Sequence, residues 1–327
     1  MQMTIIAVER CMPSVVFGLL DIFSLALNWW NYFDGKGKPP DFQVEIATPD
    51  GKPVRTFNRI AIQADLAMRE AARTNLIFIP ALIPPFEDVL ERSGDVVAWL
   101  REHHARGTML VSICTGAFLL AEAGILNGKM ATTHWKAASL FRQRYPEVTL
   151  KPQRMIVDEK NVMTSGGVSA FMDVSVYLIE KYTTPELGAI CAKMMVVDPD
   201  RISQAPYMIF DYQKSHKDQE ILRAQKWMET HFRAAISIDG IAQRVGLGTR
   251  TFKRRFKQAT GDTPLAYLQR LRIEEAKRHL ETGKKSVDEI TCRIGYEDSS
   301  SFIRLFKKNT GLSPGAYRNK FSKLAFS

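Results

Sequence analysis

The chain has 327 residues, enough for two domains, and carries a formal net charge of +10. Its four cysteines (Cys11, Cys114, Cys191 and Cys292) are widely spaced, with no CxxC pair and no metal-ligand cluster with histidine. A disulfide framework and a metal site are thereby excluded, and a reduced, cytoplasmic protein is expected.

From the start of the chain, short β-branched or apolar runs at residues 4–8, 43–47, 76–79 and 109–113 predict central parallel strands. Helical patterns at 15–30, 86–105 and 115–123 lie between them. Such alternation predicts an α/β doubly wound sandwich over residues 1–198, long enough to bury a substantial core. Residues 15–33 are strongly apolar but contain Asp21 and Asn28, so a helix buried on the sheet is expected rather than a membrane span. There is no GxGxxG after the first strand and no P-loop, so no cofactor is expected. His103 and His104, in the charged stretch REHHARG, are expected to face solvent, and Trp29-Trp30 to straddle the end of the first helix.

The stretch SICTGAFLLAEAGILNGKMATTHW, residues 112–135, runs a buried strand into Cys114, then Thr115-Gly116 and a helix. A strand–turn–helix of this kind holds a nucleophile exposed at the end of a sheet, and the helix start would lower a thiol pKa. His134 follows twenty residues on, with room for a short strand between, and Trp135 next to it. This segment resembles the PfpI/ThiJ-like branch of the class I glutamine amidotransferase-like superfamily. Its elbow cysteine and following histidine match Cys114 and His134, and Gly166-Gly167 in MTSGGVSAFMD fits its later pocket-side turn. The resemblance spans about residues 4–185 and implies a flavodoxin-like fold. Enzymes of that family place a glutamate beside the cysteine, where this chain has Val15, and glycines after the third strand, where it has Ala81-Leu82. Valine cannot do acid–base work, so no catalytic residue is assigned. Cys114, Thr115, His134, Trp135, Gly166 and Gly167 are expected to line a small-molecule effector pocket instead.

Residues 199–216 lack a clean period and contain two prolines, which predicts a linker. Beyond it the chain says nearly the same thing twice. Ile241 and Gly246 match Ile290 and Gly295 at an offset of 49; Phe252, Phe256, Gly261, Pro264 and Tyr267 match Phe302, Phe306, Gly311, Pro314 and Tyr317 at an offset of 50. The second copy therefore carries one extra residue in its turn. Each copy reads as a short helix ending at a glycine, a turn, and a second helix with phenylalanines four apart on one face. Ser286 and Glu289 have capping-box spacing. Residues 217–327 hold 23 Lys+Arg and 12 Asp+Glu, whereas the remaining 216 hold 22 and 23, so all the excess positive charge lies in the repeat. Segregated charge of this kind is the electrostatic footprint of a nucleic-acid-binding module.

The repeat resembles the DNA-binding domain of AraC/XylS-type regulators over its whole length, with two helix-turn-helix units joined by a long helix at about 264–281. With Phe252 and Phe256 inward, Arg250, Thr251, Lys253 and Arg254 face out; with Phe302 and Phe306 inward, Ser300, Ser301 and Arg304 face out, with Lys307 and Lys308 further along. Arginine suits the paired acceptors of guanine, and the trailing lysines suit phosphate. The two units are expected to reach successive major-groove segments, and the arginine-rich copy to carry more sequence-specific energy than the serine-rich one.

The two resemblances together imply a transcription regulator, by family habit an activator, controlled by a small metabolite in its first domain. Regulators of this pairing respond to amino acids, quaternary amines or related nitrogen compounds. The expected partners are double-stranded DNA, that effector, RNA polymerase and a second copy joined through the first domain, with no membrane. The alternative is a PfpI/ThiJ-like cysteine enzyme, of hydrolase or glyoxalase type, fused to a DNA-binding domain.

Overall fold

The computed structural model describes residues 1–33, 35 and 39–322. The chain divides into two compact units, Met1–Gln204 and Ala205–Ser327.

The first unit is an α/β sandwich. In chain order it contains β1 (Gln2–Ile6), α1 (Pro13–Tyr32), β2 (Gln43–Thr48), β3 (Val54–Arg55), β4 (Ala61–Ile62), β5 (Leu66–Ala67) and β6 (Leu76–Ile79). There follow α2 (Glu87–Arg92), α3 (Gly94–Ala105), β7 (Met109–Ile113), α4 (Ala117–Glu122), β8 (Met130–Ala131), α5 (Ala138–Arg144), β9 (Thr149–Leu150), β10 (Ile156–Glu159), β11 (Val162–Ser165), α6 (Ala170–Tyr182) and α7 (Pro185–Met194). The main sheet runs β10-β11-β7-β6-β1-β2-β5, parallel except for the edge strand β10. Read in chain order, its five central strands stand 2-1-3-4-5, the flavodoxin-like order. Every residue of β6, β7 and β11 is buried, which is why these strands read as continuous apolar runs without alternation. The crossover after β1 moves one way along the sheet and those after β6 and β7 move the other, so right-handed connections place helices on both faces. Accordingly α1, α6 and α7 pack on one another, and α2, α3 and α4 on one another. The apolar helix α1 buries Val15, Val16, Leu19, Ile22, Phe23 and Ala26 in this core, as expected for a core helix.

Two sequence expectations change. The helix expected at 86–105 is broken at Ser93, whose hydroxyl donates back to Val89 O and whose next residue is the flexible Gly94. His103 does not face solvent: it is buried, 4.6 Å from the Trp99 ring, with Nδ1 3.2 Å from Thr108 Oγ1. The amphipathic period was correct, but the last turn of α3 rolls that histidine under the helix.

The second unit is helical: α8 (Gln219–His231), α9 (Ile238–Arg244), α10 (Thr249–Thr260), α11 (Pro264–Thr282), α12 (Val287–Arg293), α13 (Ser299–Thr310) and α14 (Pro314–Phe321). The α9–α10 turn is residues 245–248 and the α12–α13 turn 294–298, one residue longer. Gly246 and Gly295 adopt φ of +74° and +84°, a left-handed conformation that glycine enters without a Cβ penalty. Ser286 and Glu289 form the reciprocal capping box that starts α12. Two cores result. Ile221, Ala224, Met228, Ile241, Phe252 and Phe256 form the first, with Tyr267, Leu268 and Leu271 from the front half of α11. Ile290, Ile294, Phe302, Phe306 and Tyr317 form the second, with Ile273, Ala276 and Leu280 from the back half of the same helix. One helix therefore serves both copies, with successive faces.

The stretch expected as a linker is divided between the units. Arg201 bonds Asp173 and Ser169, Met155 N–H donates to Ile202 O (3.1 Å), and Ser203 Oγ and Gln204 N–H both donate to Gln153 O (2.8 Å). From residue 205 the chain joins the second unit: Tyr207 meets Phe321 edge to face (5.4 Å), Lys277 Nζ donates to Met208 O (2.6 Å), and Phe210 meets Tyr267 edge to face (5.1 Å).

A candidate DNA interface and a buried cysteine elbow

In α10 and α13 a single helical phase separates core from surface. Phe252, Phe256, Phe302 and Phe306 are fully buried, and on the other side Arg250, Thr251, Lys253, Arg254, Ser300, Ser301, Arg304, Lys307 and Lys308 are all exposed. Arg255, one step round the helix, bonds Asp218 and Glu220 at 2.6–2.9 Å and serves the fold. The helices start differently. α10 opens at Gly248 without a side-chain cap, whereas Asp298 caps α13 by accepting the Ser300 and Ser301 N–H groups at 3.1 and 2.8 Å. Ser301 Oγ also accepts from Arg304 (3.1 Å), and its bond to Asp298 is the largest cause holding that carboxyl below its ordinary pKa.

In the first unit β7 ends at Cys114, which adopts φ +58°, the strained backbone of an elbow. Gly116 lets the turn close: a Cβ there would lie 2.5 Å from Ile79 O. The elbow geometry matches expectation, but the chemistry of the thiol does not. Cys114 is buried (3% exposed), and burial pushes its pKa up to about 11, outweighing the donors at Thr115 and Gly167 that would lower it. At neutral pH the thiol, not the nucleophilic thiolate, is therefore the dominant form. Thr115, expected at the pocket, turns elsewhere: its hydroxyl donates to Leu82 O (2.6 Å) and accepts Leu82 N–H (2.9 Å). The Leu82 N–H, one of the backbone donors after β6 that an oxyanion could use, is thus already engaged. Val15, in the place of the enzymes' glutamate, is buried in the core.

Three segments meet around the elbow. Thr133 Oγ1 donates to Cys114 O (2.9 Å), Thr132 N–H donates to Thr164 Oγ1 (2.8 Å), and Ser165 Oγ donates to Ser112 O (3.1 Å). The residue that reaches the elbow is therefore Thr133. His134 Nδ1 instead accepts Lys136 N–H (3.1 Å), its ring lies 5.3 Å from that of Trp135, and burial lowers its pKa. Gly167 has φ +79° and its backbone reaches Cys114, while Gly166 lies against Gln204. Gln204 is buried among these loops, and sequence reasoning missed it because it fell in the supposed linker. All four cysteines are free, and among the described residues no group of three or more His, Cys, Asp or Glu comes together to hold a metal.

A helix-turn-helix domain model matches residues 241–320 and the DJ-1/PfpI family model matches residues 30–181. The chain therefore pairs an AraC-type helix-turn-helix domain with a DJ-1/PfpI domain. Relatives with the same architecture include the HTH-type transcriptional regulators CdhR and GbdR of Pseudomonas aeruginosa. Each is 27% identical, over 85% of this chain and 82% of CdhR, and over 94% of this chain and 84% of GbdR. The activator RhaS of Escherichia fergusonii is 42% identical over 28% of this chain and 33% of its own length. The first unit shares its fold with Drosophila melanogaster DJ-1beta, at 17% identity and TM-score 0.50, covering 60% of this chain and 98% of that one. A ThiJ/PfpI family protein from Pseudomonas syringae gives 19% identity and TM-score 0.51, covering 61% of this chain and 76% of that one. The regulator is thus a DNA-binding transcription regulator, and its relatives support that role over the enzyme alternative.

Proposed function

We propose that the regulator reads a specific, asymmetric DNA site through α10 and α13 and that a small molecule bound at the elbow of the first unit controls this reading. The carrying observation is the sharp division of both helices, with every phenylalanine buried and every basic or hydroxylated reading position exposed. Arg250 and Arg254 read bases, Thr251 and Lys253 flank them, Ser300, Ser301 and Arg304 read the second segment, and Lys307 and Lys308 hold phosphate. The effector contacts His134, Trp135, Gly166 and Gly167 beside Cys114. Thr115 braces the pocket wall through Leu82. The acting form is a cytoplasmic homodimer joined through the first unit, and it activates transcription by contacting RNA polymerase.

The test is to select DNA from a random pool with the full chain and titrate Arg250→Ala and Arg304→Ala against the selected site and its single-base variants. At least one variant should lose preference at one base. Equal weakening on all DNAs would overturn specific reading in favour of general coating. Thermal-shift screening against amino acids and amines, followed by DNA titration with any stabilising compound, tests the sensor.

A further inference from the structure

The carboxamide of Gln204 sits in a cradle of backbone carbonyls. Its Nε2 lies 2.8 Å from Pro152 O, 2.9 Å from Thr133 O, 3.1 Å from Arg154 O and 3.4 Å from Thr132 Oγ1, and its Oε1 accepts Trp135 N–H at 3.4 Å. Thr132 Oγ1 gives its own hydrogen to Arg154 O (2.9 Å), so towards Gln204 it presents only a lone pair. A carboxamide nitrogen carries two hydrogens and no formal charge, so it can serve only two of the four acceptors, and of the other two Arg154 O already has the Thr132 hydroxyl hydrogen. Buried acceptors left under-served are costly, and a cation with more N–H groups would answer them better. The cradle is also shaped to its occupant. A Cβ on Gly166 would lie 1.7 Å from Nε2, and Gly166 is not in the left-handed region, so space rather than backbone conformation requires the glycine.

Gln204 ends the first unit, and the residues before it are held by Arg201 to Asp173 and Ser169 and by the bonds to Gln153 and Met155. The next three, Ala205–Tyr207, open the second unit and pack against α13 and α14. We infer that the Gln204 side chain is an intramolecular ligand. It occupies a site for a head group with several N–H donors (a primary ammonium, a guanidinium or a carboxamide), and a molecule of that class displaces it and frees residues 199–204. A quaternary ammonium head, having no N–H, is refused. That this displacement alters DNA reading rests on the sensor function proposed above.

Hydrogen exchange of the full chain, read by mass spectrometry, tests the site without needing DNA. Gln204→Ala should speed exchange in segments 130–136 and 152–166 about tenfold, the scale of losing one buried polar contact. Acetamide, which replaces the deleted atoms, and guanidinium, at the same millimolar concentration, should restore protection, and tetramethylammonium should not. The isosteric Gln204→Glu replaces the donors by acceptors and should free residues 199–204 with no ligand present. In the wild type, guanidinium should speed exchange in 199–204 only. An equal response to tetramethylammonium, or no response of Gln204→Ala to any of the three, overturns the site. Restored protection with DNA affinity of both variants equal to wild type would overturn its regulatory role alone. A failure of DNA specificity in Arg250→Ala bears on the reading helices instead.

Discussion

Phe252 and Phe256 in the first helix-turn-helix copy meet edge to face at 5.5 Å, and Phe302 and Phe306 in the second at 5.6 Å. Thr260 and Thr310 each donate back to the second phenylalanine's carbonyl, at 2.8 and 2.9 Å. Tyr267 OH donates to Glu229 at 3.1 Å and Tyr317 OH to Glu281 at 2.7 Å. The copies part company where packing does not constrain them. The first is roofed by α8 and starts its reading helix uncapped at Gly248, with three cations outward; the second starts under an Asp298 cap with serines outward. Positions held by packing stay matched, so the positions free to differ are where the two copies divide the work on DNA.

The largest effects should fall on what the copies share. Phe256→Ala and Phe306→Ala should each cost about 3–5 kcal/mol of unfolding free energy, measured by denaturant titration. Loss of protection by hydrogen exchange should concentrate in the altered copy and in the half of α11 that serves it. A cost below about 1 kcal/mol for one copy would mean that the matched cores are not equivalent in energy.

Next come the outward faces. Arg250→Ala or Arg254→Ala should weaken binding to the selected site by about 1–3 kcal/mol, whereas Ser300→Ala should cost less than about 1 kcal/mol, both by fluorescence titration at fixed salt. The reverse ranking would move the specific energy to the second copy. Tyr267→Phe and Tyr317→Phe should each cost about 1 kcal/mol of stability, the usual worth of one hydrogen bond, and nearly equally.

Acid should weaken both copies through different carboxyls, the second through its helix-cap residues Asp298 and Glu289 and the first through carboxyls paired with an arginine. Hydrogen bonding from Arg255 holds the Asp218 carboxyl below its ordinary value and helps do the same for Glu220, and Leu305 occupies the matching place in the second copy. Carboxyls with lowered folded pKa stabilise the fold above their unfolded value and lose that contribution as pH falls through the folded one. Stability of the first copy should therefore decline from about pH 5 downward, and Arg255→Leu should flatten that decline in thermal melts at stepped pH. The smallest effect should come from Gly248→Asp, which gives the first copy the cap of the second. A Cβ at Gly248 meets nothing within 4 Å. Stability should rise by a few tenths of a kcal/mol, while the added carboxylate weakens DNA binding.

Much of this was legible in the sequence. Helical phase needs only the spacing of Phe252 and Phe256 to state which neighbours face out, and the left-handed turns at Gly246 and Gly295 follow from the residue type. The elbow at Cys114 was legible too, as a strand running into a helix. The state of its thiol was not, because a pKa depends on everything packed around the sulfur, and burial there overrides the helix start. His103 shows the same limit on a smaller scale.

By itself the sequence determined the order of domains, the duplicated core and the charge of the reading half, all of which rest on local period and composition. Only the tertiary structure decided where the first unit ends and what holds it there. The cradle of Gln204 consists largely of backbone carbonyls contributed by residues 133, 152 and 154. Every residue type carries the same carbonyl, so no residue pattern announces it; the site exists only because the fold brings three of them to one point.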